Sequence, residues 1–240
     1  LEVITSPLSN DLIDIFLATE KLRPKKLDKI SPASDTIGIL GAGLMGSQIA
    51  ANLVEKGYTI HLRDLKQGML DKSVDRIFDI EHGDLVRRII SNSEFEQRLL
   101  RIKPTINFDR IQGASFVIEA ISEVLGWKRK LLEEFDNVAK AGTIFATNTS
   151  SFTVAEIAEK AKHPEQCIAM HFFNPVRTMK LVEIGVTKRT SADTIAKSVE
   201  LARQMGKIPI IVSDSPGFLV NRILARYMIE ALILKSEGIP

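Results

Sequence analysis

His171 and Glu183 are the two residues whose types and spacing best suit proton-transfer chemistry. His171 lies in the apolar run "CIAMHFF", just before an Asn-Pro pair, and Glu183 lies in the next apolar run, "KLVEIG". An imidazole titrates near neutrality and can therefore act as a general base. A carboxylate bonded to one ring nitrogen fixes the tautomer and stabilises the imidazolium. The pattern predicts a paired base; the alternatives are a structural histidine and a surface charge on an edge strand.

Polar residues follow two further apolar runs. In "ATNTSSFT", Asn148 to Ser151 come directly after a predicted strand, and Ser150 is expected to face a ligand while Ser151 or Thr153 caps the next helix. In "IEAISEVLGWK", Glu123 and Lys128 are placed to reach the ribose of a cofactor. The alternative for this second pair is a solvated loop and first helical turn.

Three glycines, Gly41, Gly43 and Gly46, spell G-x-G-x-x-G in "TIGILGAGLMGSQIA", between a predicted strand and a predicted helix. The first permits a tight turn, the second leaves room for a pyrophosphate, and the third lets helix and strand pack closely. The helix N-terminus then attracts the phosphates. The motif predicts a dinucleotide site. A glycine turn used only for packing is the alternative, and a mononucleotide loop is disfavoured because no G-K-[ST] follows.

Asp64 ends the next predicted strand, "TIHLRD", at the spacing expected for a ribose-binding acid. Its carboxylate would accept hydrogen bonds from both ribose hydroxyls and repel a 2′-phosphate. This favours NAD over NADP, although the neighbouring cations Arg63 and Lys66 weaken the preference.

Strands and helices alternate between these motifs, which indicates right-handed crossovers and a parallel sheet. We predict an α/β fold: a Rossmann-type, doubly wound, mostly parallel sheet with a helical hairpin inserted over 67–102, broken near Gly83. The expected strands are 36–40, 59–64, 115–120, 143–148, 167–173, 179–185 and 207–212, and the other helices are 45–56, 127–140, 154–161, 192–205 and 218–237.

Two end segments lie outside this pattern. We predict a linker helix followed by a polar linker over residues 1–34, and a dinucleotide-binding domain over residues 35–215. Residues 216–240 are expected to begin a truncated C-terminal helical domain, of which the chain supplies the first helix. A wide apolar side on this helix needs a partner surface, so we expect self-association into a homo-oligomer through it.

Composition narrows the function classes. The 240 residues carry 32 Lys and Arg against 30 Asp and Glu, a balance that argues against nucleic acid as a partner. Cys167 is the single cysteine, so no cysteine metal cluster is possible, and no metal site is predicted. No apolar run is long enough for an integral membrane segment. No targeting signal is visible, and a cytoplasmic location is the expectation.

From Thr36 onward the chain resembles the L-3-hydroxyacyl-CoA dehydrogenases. Five signatures carry the resemblance, in the family's order and at compatible spacings: "GAGLMGSQIA", "VIEAISE", "NTSS", "HFFNPV" with "MKLVEI", and "DSPGFLVNRIL". The N-terminal "SPLSNDLIDIFLATEKLRPKK" looks like the helix that joins an enoyl-CoA hydratase domain to the dehydrogenase in multifunctional fatty-acid oxidation enzymes.

The resemblance implies roles for individual residues. His171 would be the general base, oriented by Glu183, with Ser150 and Asn221 on the oxygens or thioester arm of the substrate. NAD would lie along the glycine loop, with Asp64 on the adenosine ribose and Asn174 and Ser150 near the nicotinamide. The implied cofactor-binding set is Gly41, Gly43, Leu44, Met45, Gly46, Asp64, Ile121, Ser122, Glu123, Lys128, Ser150 and Asn174.

The implied reaction is NAD-dependent oxidation of an L-3-hydroxyacyl-CoA thioester to the 3-ketoacyl-CoA in fatty-acid β-oxidation. One alternative is another NAD-dependent β-hydroxyacid dehydrogenase, although no lysine base stands in a cofactor-facing motif. The other is an NAD-binding fragment with weak turnover, because the helical domain that closes the cleft is only begun. The hairpin departs from the family pattern, so no coenzyme A residue is assigned there.

Overall fold

The sheet and its helices are described for residues 36–239 of this computed structural model, so the predicted linker helix within 1–34 lies outside the described residues. The strands are β1 (Thr36–Leu40), β2 (Thr59–Arg63), β3 (Ile102–Thr105), β4 (Phe116–Glu119), β5 (Ile144–Thr147), β6 (Cys167–Phe172), β7 (Leu181–Val186) and β8 (Ile208–Ser213). The helices are α1 (Leu44–Glu55), α2 (Gln67–Val86), α3 (Asn92–Leu100), α4 (Leu125–Asp136), α5 (Val154–Ile157), α6 (Ala192–Gln204) and α7 (Val220–Ser236).

One sheet contains all eight strands, in the order β3-β2-β1-β4-β5-β6-β7-β8. Neighbouring strands run parallel except β6 and β7, which form an antiparallel pair. The order reverses direction between β1 and β4, and in open α/β sheets ligands bind in the crevice beyond the strand ends at such a switch point. The predicted Rossmann-type, doubly wound, mostly parallel sheet is confirmed.

Helices cover both faces of the sheet and account for its almost continuous apolar strands. One face packs against α1, α2 and α6 through side chains such as Ile49, Ile77 and Leu201. The other packs against α4 and α5 through Phe135 and Ile157. Burial on both faces explains why "TIGIL" and "FVIE" read as short apolar runs rather than as alternating patterns.

The inserted hairpin differs from the prediction at two points. The helix runs through Gly83 to Val86, and the chain turns at Arg88, whose φ is +57°. Buried ion pairs keep this part of α2 in place, because Glu81 binds Arg98 at 2.8 Å across the hairpin. The hairpin also ends before Ile102, which opens β3 at the sheet edge, where the proline of "IKPT" is tolerated.

The chain leaves the sheet through a tight contact between Gly185 of β7 and Phe218. A Cβ on Gly185 would lie 2.5 Å from Cε1 of the Phe218 ring and 3.0 Å from the Ala169 Cβ. Phe218 is buried and has a positive φ of +44°, which few non-glycine residues adopt. The segment before α7 is therefore seated on the sheet by close packing.

Beyond its first turn, α7 presents large apolar side chains to solvent. Those exposed by half or more of their surface are Ile223, Leu224, Tyr227, Met228 and Leu232. Among the described residues, none of the helices combines the length and apolar character needed to cross a bilayer.

Gly185→Ala should lower the free energy of unfolding by about 1–3 kcal/mol, because the added methyl group overpacks the Phe218 ring. Chemical denaturation of the purified protein measures this. Gly68→Ala is the matched control: its Cβ would meet nothing within 4 Å, and in a helix it should leave stability unchanged or raise it by up to about 1 kcal/mol. Equal effects from both changes would contradict the packing explanation.

Candidate active site

His171 and Glu183 face each other across the antiparallel β6–β7 pair. They are register partners, and His171 Nδ1 lies 2.7 Å from Glu183 Oε2. Both side chains are buried, Glu183 completely. With the carboxylate ionised, Nδ1 donates to it and Nε2 is left as the proton acceptor of the ring. The structure brings the predicted pair together.

The second oxygen of Glu183 binds the start of α7. Oε1 accepts the backbone N–H groups of Leu219 at 2.9 Å and Val220 at 2.8 Å. The residue at the helix N-cap, Leu219, offers no side-chain cap, so the buried carboxylate supplies it and meets the positive end of the helix dipole. Three hydrogen bonds thus satisfy a carboxylate that would otherwise be costly to bury. Sequence reasoning missed this role of Glu183, because the two residues it caps lie 36 and 37 positions away.

Two aromatic rings hold the imidazole in place. The Phe173 ring centroid is 4.7 Å from that of His171, in an edge-to-face arrangement, and the Phe218 centroid is 5.7 Å away. These contacts account for part of the burial of the His171 side chain.

The glycine loop has the shape that the sequence predicts. Gly41 has φ +109°, and a Cβ there would lie 2.6 Å from the Ala120 carbonyl oxygen; at Gly46 it would lie 1.9 Å from the Gly41 oxygen. Gly43 is the N-cap of α1, and nothing lies within 4 Å of its Cβ position. Two glycines therefore permit backbone contacts, and the third keeps open space at a helix N-terminus. This cradle fits a dinucleotide pyrophosphate.

Asp64 is tied to the same loop. Its Oδ2 accepts the N–H of Ala42 at 2.9 Å, and its Oδ1 accepts that of Lys66 at 3.2 Å. The neighbouring Arg63 is turned away and buried, with its guanidinium carbon 3.8 Å above the centre of the Phe108 ring. The Asp64 carboxylate is therefore held beside the glycine loop, while the Arg63 side chain packs on Phe108.

A buried ion pair missed by sequence reasoning underlies the loop after β4. Lys128 Nζ lies 2.8 Å from Glu119 Oε1, and both side chains are almost completely inaccessible. Glu119 also accepts the Thr147 hydroxyl at 2.6 Å and the Ile121 N–H at 2.8 Å. Lys128 is thus buried beside Glu119, and its contact with the cofactor ribose stays a prediction. A strand-end glutamate nine residues before a lysine was the available signal.

Glu123 joins this ion pair to the polar loop after β5. It lies 3.2 Å from Lys128 Nζ, and its Oε1 accepts the N–H groups of Ser150 and Ser151, each at 2.9 Å, as well as the Thr149 hydroxyl. Burial acts to raise the pKa of Glu123, but the Thr149 hydrogen bond, the Lys128 charge and the Ser150 N–H together hold it below its ordinary value. Glu123 thereby fixes the position of Ser150.

The remaining predicted residues lie around this crevice. Asn148 Oδ1 accepts the Phe172 N–H at 2.9 Å and so links the polar loop to the end of β6. Asn174 Oδ1 accepts a hydrogen bond at 2.8 Å from Gln48 of α1, which connects the loop after His171 with the helix of the glycine motif. The others are the exposed Leu44 and Ser122, and Met45, Ile121 and the α7 residue Asn221, all half-buried.

Comparison with known proteins identifies this constellation. The family described as "3-hydroxyacyl-CoA dehydrogenase, NAD binding domain" matches residues 36–215. The chain belongs to this family. It is therefore the NAD-binding part of an NAD-dependent 3-hydroxyacyl-CoA dehydrogenase, an oxidoreductase.

Solved structures agree with this assignment. The dehydrogenase domain is similar to (S)-3-hydroxybutyryl-CoA dehydrogenase from Ralstonia eutropha, with 34% identity and a TM-score of 0.84 over 87% of this chain and 74% of that one. It matches 3-hydroxybutyryl-CoA dehydrogenase from Escherichia coli with 32% identity and a TM-score of 0.84, over 87% of this chain and 44% of that one. The dehydrogenase part of multifunctional enzyme 1 from C. elegans is 25% identical, with a TM-score of 0.70, over 84% and 46% of the two chains.

A cavity of about 1210 Å³ adjoins the glycine-motif helix of the dehydrogenase. It lies between α1, the second half of α2 and residues 175–180. Its charged lining is mostly basic: Arg76, Arg87, Arg177 and Lys180, with Asp79 and Asp84. Among residues 36–239, no group of three or more His, Cys, Asp or Glu side chains is arranged to hold a metal ion.

Glu123→Gln should destabilise the dehydrogenase at neutral pH, because the amide replaces a carboxylate facing Lys128 and three donors. Since the folded-state pKa of Glu123 lies below its ordinary value, this contribution is fully present above about pH 4.5 and is lost as the pH falls through the folded pKa. Urea unfolding from neutral to acidic pH should give wild-type and variant curves that converge in acid. Glu133→Gln, at an exposed position on α4, is the control; a pH-independent gap for Glu123→Gln would contradict the prediction.

Proposed function

We propose that the protein oxidises the 3-hydroxyl group of an L-3-hydroxyacyl-CoA to a ketone, with His171 as the general base. The 2.7 Å contact between His171 Nδ1 and Glu183 Oε2 carries the proposal. It leaves the Nε2 lone pair to accept the hydroxyl proton of the substrate. The Glu183 carboxylate accepts the Nδ1–H and stabilises the imidazolium as that proton arrives. Its other oxygen accepts two backbone N–H groups, which hold the side chain in place.

NAD, when bound, supplies the acceptor for the hydride from C3 of the substrate. The residues proposed to hold it are those of the glycine loop, with Asp64 on the adenosine ribose and Ile121, Ser122, Glu123 and Lys128 along the second ribose. Support comes from the open N-terminus of α1 and from the bond between Asp64 and Ala42, which sets the carboxylate beside the loop. Asn174 is proposed to lie near the nicotinamide, because Gln48 ties it to α1.

Ser150 and Asn221 are proposed to contact the oxygens of the acyl-CoA thioester. Ser150 is supported by its fixed position, since its N–H is bound by Glu123 and its carbonyl accepts the Gly217 N–H at 3.1 Å. Asn221 follows Val220, whose N–H is held by Glu183. Ser150 is thus positioned by Glu123, and Asn221 follows a residue held by Glu183, the carboxylate that orients the base; such fixed placement is what proximity requires.

The wider assignments rest on the family and its relatives. We propose that residues 1–34 form a linker, 35–215 the NAD-binding domain and 216–240 the start of a helical domain. Participation in fatty-acid β-oxidation, fusion to an enoyl-CoA hydratase and a cytoplasmic location are proposed with it. The similar chain from C. elegans, described as part of a multifunctional enzyme, supports the fusion.

A second candidate is NAD binding with weak turnover by this chain. One observation favours it: the apolar side chains of α7 are exposed, although Glu183 fixes the start of that helix. A cleft wall that stands open to water would leave the reacting groups poorly desolvated. Another β-hydroxyacid dehydrogenase with a lysine base is disfavoured, since Lys128 is buried against Glu119.

His171→Ala should lower kcat for oxidation of NADH with acetoacetyl-CoA by about 10²–10⁴, the range expected for a lost general base. The NADH dissociation constant should stay within about twofold, because the glycine loop is untouched. Absorbance of NADH and calorimetry measure the two quantities. His163→Ala, at an exposed histidine beside Glu165, is the control. Full activity of His171→Ala would remove His171 from the proposed role, and absence of turnover in the wild type with intact NADH binding would favour the second candidate.

Self-association through α7 is proposed for the same reason that its apolar face stands exposed. Sedimentation velocity should give a species heavier than the monomer that grows with protein concentration. Leu232→Glu, which places a charge at a position 63% exposed, should shift the distribution toward monomer, while Lys235→Gln on the same helix should not. A monomer at every concentration would contradict the proposal.

A further inference from the structure

Lys207 is a buried cation outside the site described so far. It precedes β8, its residue surface is 2% exposed, and no carboxylate among residues 36–239 forms an ion pair with it. Its ammonium group instead donates to two backbone carbonyls, those of Val176 and Met179, the latter at 3.0 Å. Few proteins bury a lysine completely without a charged partner. Its two acceptors therefore point to what it does.

Both acceptors lie in the loop 173–180, which connects the strand of His171 to the strand of Glu183. The loop folds on itself through N–H groups of Thr178 and Met179, which bind the Pro175 carbonyl at 3.1 and 2.9 Å. The carbonyls of Val176 and Met179 instead accept hydrogen bonds from the Lys207 ammonium group. The loop carries Asn174, and part of it lines the cavity beside α1.

Other contacts hold the opposite side of this loop. Gln48 of α1 accepts the Val176 N–H at 2.7 Å, and Arg177 binds Glu55 of α1 at 3.3 Å as well as Asp84 of α2. These bonds draw the loop toward α1 and α2. Lys207, which precedes β8, binds the loop from the sheet. The contacts with α1 and α2 and those with Lys207 together set the position of the loop.

The surroundings of Lys207 disfavour its charged form. Burial, with smaller contributions from the cations Lys180, Lys56 and Arg177, lowers the pKa of Lys207 to about 8, and the Glu55 carboxylate partly opposes this shift. A methionine would fill much the same volume without this penalty. What it would not supply is a donor for two carbonyl oxygens.

We propose that Lys207 is a positioning residue for the dehydrogenase reaction: it fixes the loop 173–180 so that Asn174 and the cavity wall of Pro175, Arg177 and Thr178 stay in place beside the catalytic strand. The effect on the substrate rests on the proposed function; the effect on the loop does not. Lys207 acts through backbone carbonyls, not by touching substrate or cofactor.

Hydrogen–deuterium exchange of Lys207→Met tests the loop directly, with Lys188→Met, at an exposed position after β7, as the matched control. Amides 176–179 should exchange at least ~10-fold faster in Lys207→Met, while those of the glycine loop and of β1 keep their wild-type rates. Unchanged exchange at 176–179, or equal acceleration throughout the protein, would overturn the proposal.

Steady-state kinetics of the same variants test the consequence. KM for acetoacetyl-CoA should rise by about 10-fold in Lys207→Met, the NADH dissociation constant should rise with it because the loop carries Asn174, and Lys207→Arg, which retains donors, should recover at least half of the lost kcat/KM. A wild-type KM in Lys207→Met would overturn the proposal. If Lys207→Met does not fold, Lys207→Arg decides: loop exchange and KM within about twofold of wild type support the role, and larger changes overturn it. Absence of turnover in the wild type would contradict the proposed function alone, and the exchange measurement would still decide the role of Lys207.

Discussion

One buried carboxylate, that of Glu183, determines the geometry on which the rest of the site depends. Its two oxygens serve two elements: Oε2 orients His171, and Oε1 caps α7. The antiparallel turn between β6 and β7 makes this possible, because it sets the two residues directly opposite each other in the sheet. A parallel pairing would have required a long crossover connection between them. The antiparallel pairing of β6 and β7 is therefore the feature that brings His171 and Glu183 together.

A second buried glutamate with several hydrogen-bond partners lies on the other side of the crevice. Glu119 is the last residue of β4, and its carboxylate binds the Lys128 ammonium, the Thr147 hydroxyl and the Ile121 N–H. Glu123 continues the network to Ser150 and Ser151. A buried ion pair of this kind contributes little net stability, but breaking it leaves an uncompensated charge. The network instead sets the relative positions of the two polar loops that border the nucleotide crevice.

The sequence predicted the parts of the fold that depend on local pattern. The glycine motif, the alternation of strands and helices and the sheet class follow from periodicity and residue type, and the structure confirms them. β3 was missed because its proline reads as a helix end; the sheet edge is what admits it. The break between the hairpin helices was expected near Gly83, but α2 continues to Val86, because ion pairs of Glu81 and Asp84 hold its last turns and outweigh the weak helix propensity of glycine.

The site was predictable as a set of residues but not as a network. Types and spacing pointed to His171 and Glu183, whereas the capping of α7 by Glu183 joins segments far apart in sequence. Lys128 illustrates the limit: its spacing indicated a cofactor contact, whereas its buried ion pair with Glu119 was not predicted. The roles of the individual cofactor and substrate contacts stay predictions.

The bond between Glu183 and the first amides of α7 has a mechanical consequence. A tilt of that helix would move the carboxylate, which holds the imidazole through a single hydrogen bond. The placement of His171 is thereby coupled to a helix that extends 16 residues beyond Val220. Whatever packs against α7 bears on the position of the base without touching it.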